Sequence, residues 1–485
     1  MTGGHSASYP ELENPRSQTL DRRAWVVIGA LMLATVLANV ASVCLFPQIV
    51  ALSQEFARPV NQVVWAMAAF HVVATGLGGV AAALGASLGN RRMLLVVLGL
   101  LLAGSVMAAA STDLPLLVAG RVVQGAAMAT QALAIGIVAH LWRGEAARKA
   151  MSMIVLAMAL GAVVGYLSSG VIWKVGGNWR TIFWALAAAS ALDLVLSGLF
   201  LKETPRKHGV RVDYAGCMGL VAWAVLILLP LSQANAWGWG SFRLLSLLVP
   251  GVVVLSVWVA WELEVPAPLI DVRLLRRQGI WQGGIVWLAI AIGLCVPASA
   301  MPYLFQAPVI SGYGFGRSMF VVSVASAIPA ALMSVTASFA AHVMRHLGAR
   351  GTMLLGLLFG WSAFGLAFAH GSLGLTMMWM ALAGIPGALA GSASFALAAE
   401  MVAPEQGIVV STIYNAAAGS GSAVASALTG FVLTLRQVEL PVKTADGIRR
   451  QLFPDGETFT WAALIAAGMA VLATVVTLSL WRRPR

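Results

Sequence analysis

Long apolar runs constrain this chain more than any other feature. Between residues 25 and 480, charged or turn-forming breaks separate 14 stretches, each with the roughly 20 mostly apolar residues that cross about 30 Å of hydrocarbon. They fall at 25–50, 61–86, 93–111, 114–140, 151–173, 181–201, 214–233, 243–262, 280–304, 317–342, 352–370, 374–401, 408–435 and 459–480. A water-soluble fold would leave much of this surface exposed, because 60% of the residues are apolar and only 10% charged. The expected class is an all-α polytopic membrane protein. Pro230 and Pro250 make 214–233 and 243–262 the least regular pair.

The net charge of +12 does not require a nucleic-acid partner. With the N-terminus placed in the cytoplasm, alternate loops and both tails on that side hold 20 Lys and Arg, against 9 outside. That bias predicts an even number of spans, both termini cytoplasmic, and basic loops facing an anionic leaflet such as that of a bacterial inner membrane. Arg121 alone among them lies inside a span. Residues 436–458 form the longest external loop, and the polar residues up to 23 read as a short disordered tail without a cleavable signal. Cys44, Cys217 and Cys295 all lie in apolar runs, with neither disulfide-framework nor metal-ligand spacing.

A short segment repeats. Ala82-Ala-Leu-Gly-Ala-Ser-Leu-Gly-Asn-Arg91 closes the second span, and Ala341-His-Val-Met-Arg-His-Leu-Gly-Ala-Arg350 closes the tenth. Both end in Leu-Gly-x-Arg, where Gly permits a tight turn and Arg anchors the next helix at the headgroups. Two related halves with a site between them are the build of secondary transporters.

These residues resemble the major facilitator superfamily. Leu84, Gly89, Arg91 and Arg92 match its loop signature G-x-L-x-D-R-x-G-x-R-R. Gly120-Arg-Val-Val-Gln-Gly125 is similar to its R-x-x-Q-G motif, and Asn178-Trp-Arg-Thr-Ile-Phe183 to its W-R-x-I-F motif. Ala234-Asn-Ala-Trp-Gly-Trp-Gly240, followed by Pro268-Leu-Ile-Asp-Val-Arg-Leu-Leu-Arg276, resembles the 14-helix drug/proton antiporter branch. The resemblance implies a cytoplasmic tail at 1–24 and a six-helix bundle at 25–201. It further implies a linker at 202–278 carrying two extra helices, a second six-helix bundle at 279–480 and a tail at 481–485. Several motif positions differ. Ala86 and Ser87 stand where the loop signature has Asp and Arg, and Ala38, beside Asn39, where the first span often has an acid. Tyr166 and Ser169 replace Pro and Gly in the fifth-span motif Gly161-Ala-Val-Val-Gly165-Tyr-Leu-Ser-Ser-Gly170, and Ala418 stands in for an Arg of the thirteenth span.

Ionisable groups within hydrocarbon are costly and mark candidate function. Arg121 lies about 10 Å below the outer end of its helix. It would hold an anionic substrate group or tune a neighbour, or it is a structural Arg bonded to backbone carbonyls of the first span. His71 is at similar depth and is either a proton carrier or a neutral interhelical partner. Asp193 is the carboxylate deepest in a helix, a candidate for proton coupling or a charge that snorkels toward Lys202. Glu262 and Glu400 fall at cytoplasmic span ends, where solvation is expected, and Glu400 is also a candidate for gating the inner mouth. Asn39, Gln48, Gln124, Tyr414 and Asn415 are candidate polar lining, or interhelical bonds. Gly161 and Gly165 suit close helix packing, as do the glycines at 384–391 and 419–421. Trp237, Trp239, Trp281 and Trp481 fit an interfacial belt, while Trp65 and Phe70 flank the depth of His71.

No nucleotide loop, metal cluster or catalytic constellation stands out, so neither an enzyme nor a cofactor is expected. The expected function is a monomeric secondary transporter, a proton-coupled exporter of amphiphilic compounds; the few acids favour neutral or anionic ones. An uncoupled facilitator of a small metabolite and a non-transporting sensor or scaffold are the alternatives.

Overall fold

The computed structural model describes residues 21–204, 213–266, 268, 273, 280–368, 372–401, 407–444 and 447–479. The proposed tails, the antiporter-like stretch after Pro268 and Trp481 lie wholly or largely outside these residues.

Three of the chain's acids sit at helix starts. Asp21 caps α1 (Arg22–Val43), Asp113 caps α6 (Leu114–Gly125) and Asp213 caps α10 (Tyr214–Ser232), each accepting a backbone N–H three residues on. Between α1 and α6 run a 3₁₀ turn (Phe46–Gln48), α2 (Ile49–Glu55), α3 (Val60–Val63), α4 (Trp65–Leu88) and α5 (Asn90–Ala109). A 3₁₀ turn at Ala126–Ala129 leads to α7 (Thr130–Leu141), α8 (Gly144–Lys174) and α9 (Trp179–Phe200). Asn178 and Thr181 form a reciprocal capping box at the start of α9, inside the Trp-Arg motif. α11 (Ala234–Trp237) joins α10 to α12 (Phe242–Glu264). Both prolines are accommodated within their helices, Pro230 in the last turn of α10 and Pro250 in the interior of α12.

The second half comprises α13 (Ile280–Gln306), α14 (Met319–Gly360), α15 (Ser362–Ala367), α16 (Leu373–Leu382), α17 (Ile385–Met401), α18 (Gly407–Leu435) and α19 (Gly456–Ser479). Within α14, Gly348 has φ +66° and ψ 170°, a conformation that interrupts the helix. Gly384 abuts Pro329, and Gly356 abuts Leu389 and Ala390. A straight helix would put residues 329 and 356 about 40 Å apart, yet their partners are six residues apart, so the chain doubles back at Gly348.

Twelve helical runs among the described residues are long and apolar enough to cross a membrane. Met319–Ala367 counts once among them, and the 24-residue α4 is a further helix. The loop at 436–458 is not irregular: β1 (Gln437–Thr444) pairs antiparallel with β2 (Gly447–Pro454), so the chain is not purely helical. Apolar Leu440 and Phe453 are buried under this hairpin, and Phe453 meets Tyr303 edge-on at 6.4 Å.

Arg22 and Ser479 lie on one face of the bundle pair, called here the near face; the turn at Phe46–Gln48 and the β-hairpin lie on the far face.

Candidate substrate and coupling site

The two halves meet from the far face down to the middle of the spans. Gly170 of α8 packs on Phe320 and Ser323 of α14, and the Lys174 ammonium lies 5.0 Å from the Phe320 ring centre. Gly419 of α18 packs on Thr75 of α4, and Gly430 packs on Asn61 and Val64. The Gln306 amide reaches the Pro47 carbonyl at 3.5 Å. Small residues permit these crossings, since a Cβ at Gly170 would stand 2.7 Å from that of Ser323.

Arg121 sits in the first half with no exposed surface. Its Nε donates to the Ala66 carbonyl at 2.8 Å, and Nη1 donates to the Ala41 carbonyl and to Gln124 Oε1, both at 2.7 Å. The guanidinium carbon lies 4.5 Å from the centre of the Phe70 ring. Gln124 Nε2 continues the chain to Ser105 Oγ at 2.8 Å, and that hydroxyl donates to the Leu101 carbonyl. One side chain therefore ties α6 to α1 and α4, and through Gln124 to α5. The flanking glycines make this possible: Gly120 lies against Gly104 and Ala108 of α5, and Gly125 against Phe70 and Val73 of α4. Carbonyl oxygens and a ring face surround the cation in place of a carboxylate, which is the structural alternative for Arg121. Its Nη2 has no hydrogen-bond partner.

His71 packs between the rings of Phe46 and Phe70, at centroid distances of 6.5 and 5.3 Å. It is buried and its Nε2 is unpartnered, as are both polar atoms of the fully buried Gln48 amide. Arg121, His71 and Gln48 thus bring unsatisfied buried polar atoms to the far-face part of the first half. Asp193 does not join them. It is fully buried on α9, with Ser197 Oγ donating to its Oδ1 at 3.4 Å, and its Oδ2 has no partner. From the far ends of their helices, helical rise puts Asp193 about 10 Å deeper than Arg121. The snorkelling alternative for Asp193 is overturned, because the carboxylate has no exposed surface. Glu262 likewise departs from the expectation of solvation: it is fully buried, against Gly216 of α10.

The remaining candidates separate into packing and lining. Gly161 abuts Val36 and Asn39, and Gly165 abuts Val40 and Val43, so this pair seats α8 on α1. Asn39, half-buried there, donates to the Thr35 carbonyl at 2.9 Å. Tyr166 places its ring 6.2 Å from Phe46. Tyr414 is fully buried inside the second half against Phe395 and Gly283. Asn415 is exposed, one turn from Gly419 and on the same side of α18, which looks toward α4. Trp65 is buried, and the side chain of Glu400 is outside the described set.

At the near face Gly89 turns the chain with φ +108°. Arg91 Nη2 donates to the Gly198 carbonyl at 2.6 Å, and Arg92 Nε lies 3.3 Å from Glu203 Oε2. Glu203 and Thr204 escaped the sequence reading. A Glu just past a span end carries no periodic signal, and only its place opposite Arg92 gives it a role.

A small apolar cleft lies inside the second half, between α13, α14, α16 and α19. Gly293, Pro297, Trp379 and Met469 are among its walls, remote from the polar residues above.

The profile of the Major Facilitator Superfamily matches residues 31–361. The chain is 26% identical over 417 residues to the methyl viologen resistance protein SmvA of Salmonella typhimurium, covering 83% of this chain and 82% of that one. It is 22% identical over 250 residues to the uncharacterised MFS-type transporter YcnB of Bacillus subtilis, a match that spans about half of each chain, 51% and 52%. Among solved structures, a bacterial homologue of the human lysosomal transporter Spinster, inward-facing and occupied, superposes with a TM-score of 0.66 at 13% identity, covering 95% of this chain and 97% of that one.

Proposed function

The chain belongs to the major facilitator superfamily and is a multi-pass membrane transporter of small molecules rather than an enzyme, and from that premise we propose that it is a proton-coupled exporter of amphiphilic organic compounds. Counting Met319–Ala367 as two crossings and α4 as one gives the proposed fourteen spans, and the Lys and Arg bias of the loops supports placing both termini in the cytoplasm. The halves are 25–201 and 279–480, with the extra pair α10 and α12 between them. The near face is then the cytoplasmic one, and the state described is closed toward the outside.

The observation that supports this reading is that the named contacts between the halves lie toward the far face and at mid-span, as expected where access alternates. The halves would rock about Gly170, Gly419 and Gly430, opening the outer end as the inner closes. Asn39 and Asn415 are the proposed polar lining of the inner vestibule. Arg121 acts from behind that wall, setting the field at His71 and holding α1, α4 and α6 in register. His71 and Asp193 are the proposed proton carriers. The resistance relative's name, methyl viologen resistance protein, supports export of organic compounds.

Proteoliposomes loaded with a dye panel test the proposal. Dye movement should follow an imposed pH gradient, be accompanied by proton movement, and vanish with an uncoupler. Transport indifferent to the gradient would leave the facilitator, a reading favoured by Ala38 and Tyr166 where coupling motifs differ.

A further inference from the structure

The two seams between the halves are built differently, and the difference assigns an entry route. Along α4 and α18 a third helix fills the seam. Gly76 of α4 abuts Cys217 and Val221 of α10. Ala224 and Leu228 of α10 share one apolar cluster with Trp65, Ala68 and Val72 of α4 and with Ala423 and Ala427 of α18. At the outer end Asn61 Nδ2 donates to Gln233 Oε1 at 2.9 Å, and Gln233 Nε2 donates back to the Asn61 carbonyl at 3.0 Å. Trp239, beyond α11, meets Phe431 of α18 edge-on at 5.5 Å. The accessory pair is thus fastened to both halves.

Along α8 and α14 the helices meet directly, and the contact fades toward the cytoplasm. Helical periodicity carries the face of Gly170 through Val163, Ala159, Leu156 and Ser152. Gly170 is buried, Val163 and Ala159 are half-buried, and Leu156 and Ser152 are exposed. The face of Ser323 continues through Ala327, Ala330, Ser334, Ala337 and Ala341. The first three of these six are buried, Ser334 is half-buried, and Ala337 and Ala341 are exposed. The helices are therefore pinned at the outer end and splay below it. One lip carries Leu156 and Val163, the other mostly Ala and Ser. A hydrocarbon tail fits the first lip and a small polar head tolerates the second.

We propose that amphiphiles dissolved in the inner leaflet reach the vestibule sideways, through the α8/α14 seam and not through the α4/α18 seam that α10 covers. This rests on the exporter reading for its substrate class, but its geometry can be tested without transport. The probe is adamantyl diazirine, partitioned into proteoliposomes and photolysed, with labelled residues mapped by mass spectrometry. Leu160 and Val164, exposed and on the side of α8 that points away from both α1 and α14, serve as lipid-facing references. Leu156, Ala159 and Ala337 should label at levels near those references, and Val72, Ser420 and Ala423 at about a fifth or less. Equal labelling of the two seams, or labelling confined to the references, would overturn the route. In a second arm, Ala159→Trp combined with Ala337→Trp should slow Nile red efflux about fivefold, while Trp223→Ala on α10 leaves it within about twofold. The reverse pattern would also overturn it. Loss of all dye transport in the unaltered protein would sink the exporter reading, and the labelling would still decide the route.

Discussion

The turns at Gly89 and Gly348 share Leu-Gly-x-Arg and a left-handed glycine, with φ +108° and +66°, yet their surroundings differ. At Gly89 the backbone N–H of Asn90 donates to Thr204 Oγ1 at 2.8 Å, Arg91 reaches Gly198, and Arg92 pairs with Glu203. At Gly348 nothing lies within 4 Å of where a Cβ would stand, and Arg345 turns to its own helix, to His342 Nδ1 at 3.3 Å. A repeated sequence thus fixes the same backbone turn twice, while the end of α9 latches only the first. The interiors follow suit. The first half carries Arg121, His71 and Asp193 under cover. The second is divided by Gly348 and by the interruption between α16 and α17. The first half is braced and the second is articulated, and each expected outcome below probes that contrast.

The largest effect should come from the brace. Arg121→Ala removes two charge-assisted bonds to backbone carbonyls and should cost about 3 kcal/mol or more of stability together with transport. Melting of the purified protein in detergent measures the first. A variant that melts normally and transports nothing would make Arg121 a site residue instead of a brace. Next is the hinge. Gly170→Leu thrusts a side chain into α14 and should cut transport at least tenfold, with modest loss of stability, because it opposes closure between the halves. Gly161→Leu should do the opposite, lowering the melting temperature by unseating α8 from α1. Similar profiles for the two would erase the distinction between packing within a half and between halves.

The turns give the third test. Alanine at a left-handed position costs about 1–2 kcal/mol. At Gly348 that backbone cost should be the whole effect. At Gly89 the new Cβ would also strike the Glu203 carboxylate, so Gly89→Ala should melt lower than Gly348→Ala. Equal shifts would mean that the latch adds nothing to the turn.

Much of this architecture was legible because hydrocarbon imposes a simple rule: every long apolar run with charged ends becomes a helix. The Leu-Gly-x-Arg repeat announced both turns, since few residues besides glycine adopt positive φ. The depth of Arg121 could also be counted off. Its partners could not, because backbone carbonyls of Ala41 and Ala66 have no sequence signature. Burial of Glu262 was hidden for a related reason: it depends on how α10 packs on α12, which hydropathy does not encode. The hairpin at 437–454 was legible only in part: Val438, Leu440 and Val442 alternate with Gln437, Glu439 and Lys443, a strand signal that went unread, whereas the paired arginines of β2 break any alternation there.

The smallest expected effect is the most specific to the latch. Arg92 and Glu203 expose 59% and 29% of their side chains, so water and salt screen the pair, and Glu203→Gln should cost about 0.5 kcal/mol or less. Stability is the wrong readout for so weak a contact. If the latch holds the braced half rigid while the other half moves, its loss should appear as faster exchange of amide hydrogens around Asn90–Met93, with no change around Gly351–Met353. Raising the salt concentration should bring the unaltered protein toward the variant, because screening weakens the same charge pair. Unchanged exchange at Asn90 would leave Arg91 and Thr204, not the ion pair, as what holds the first turn.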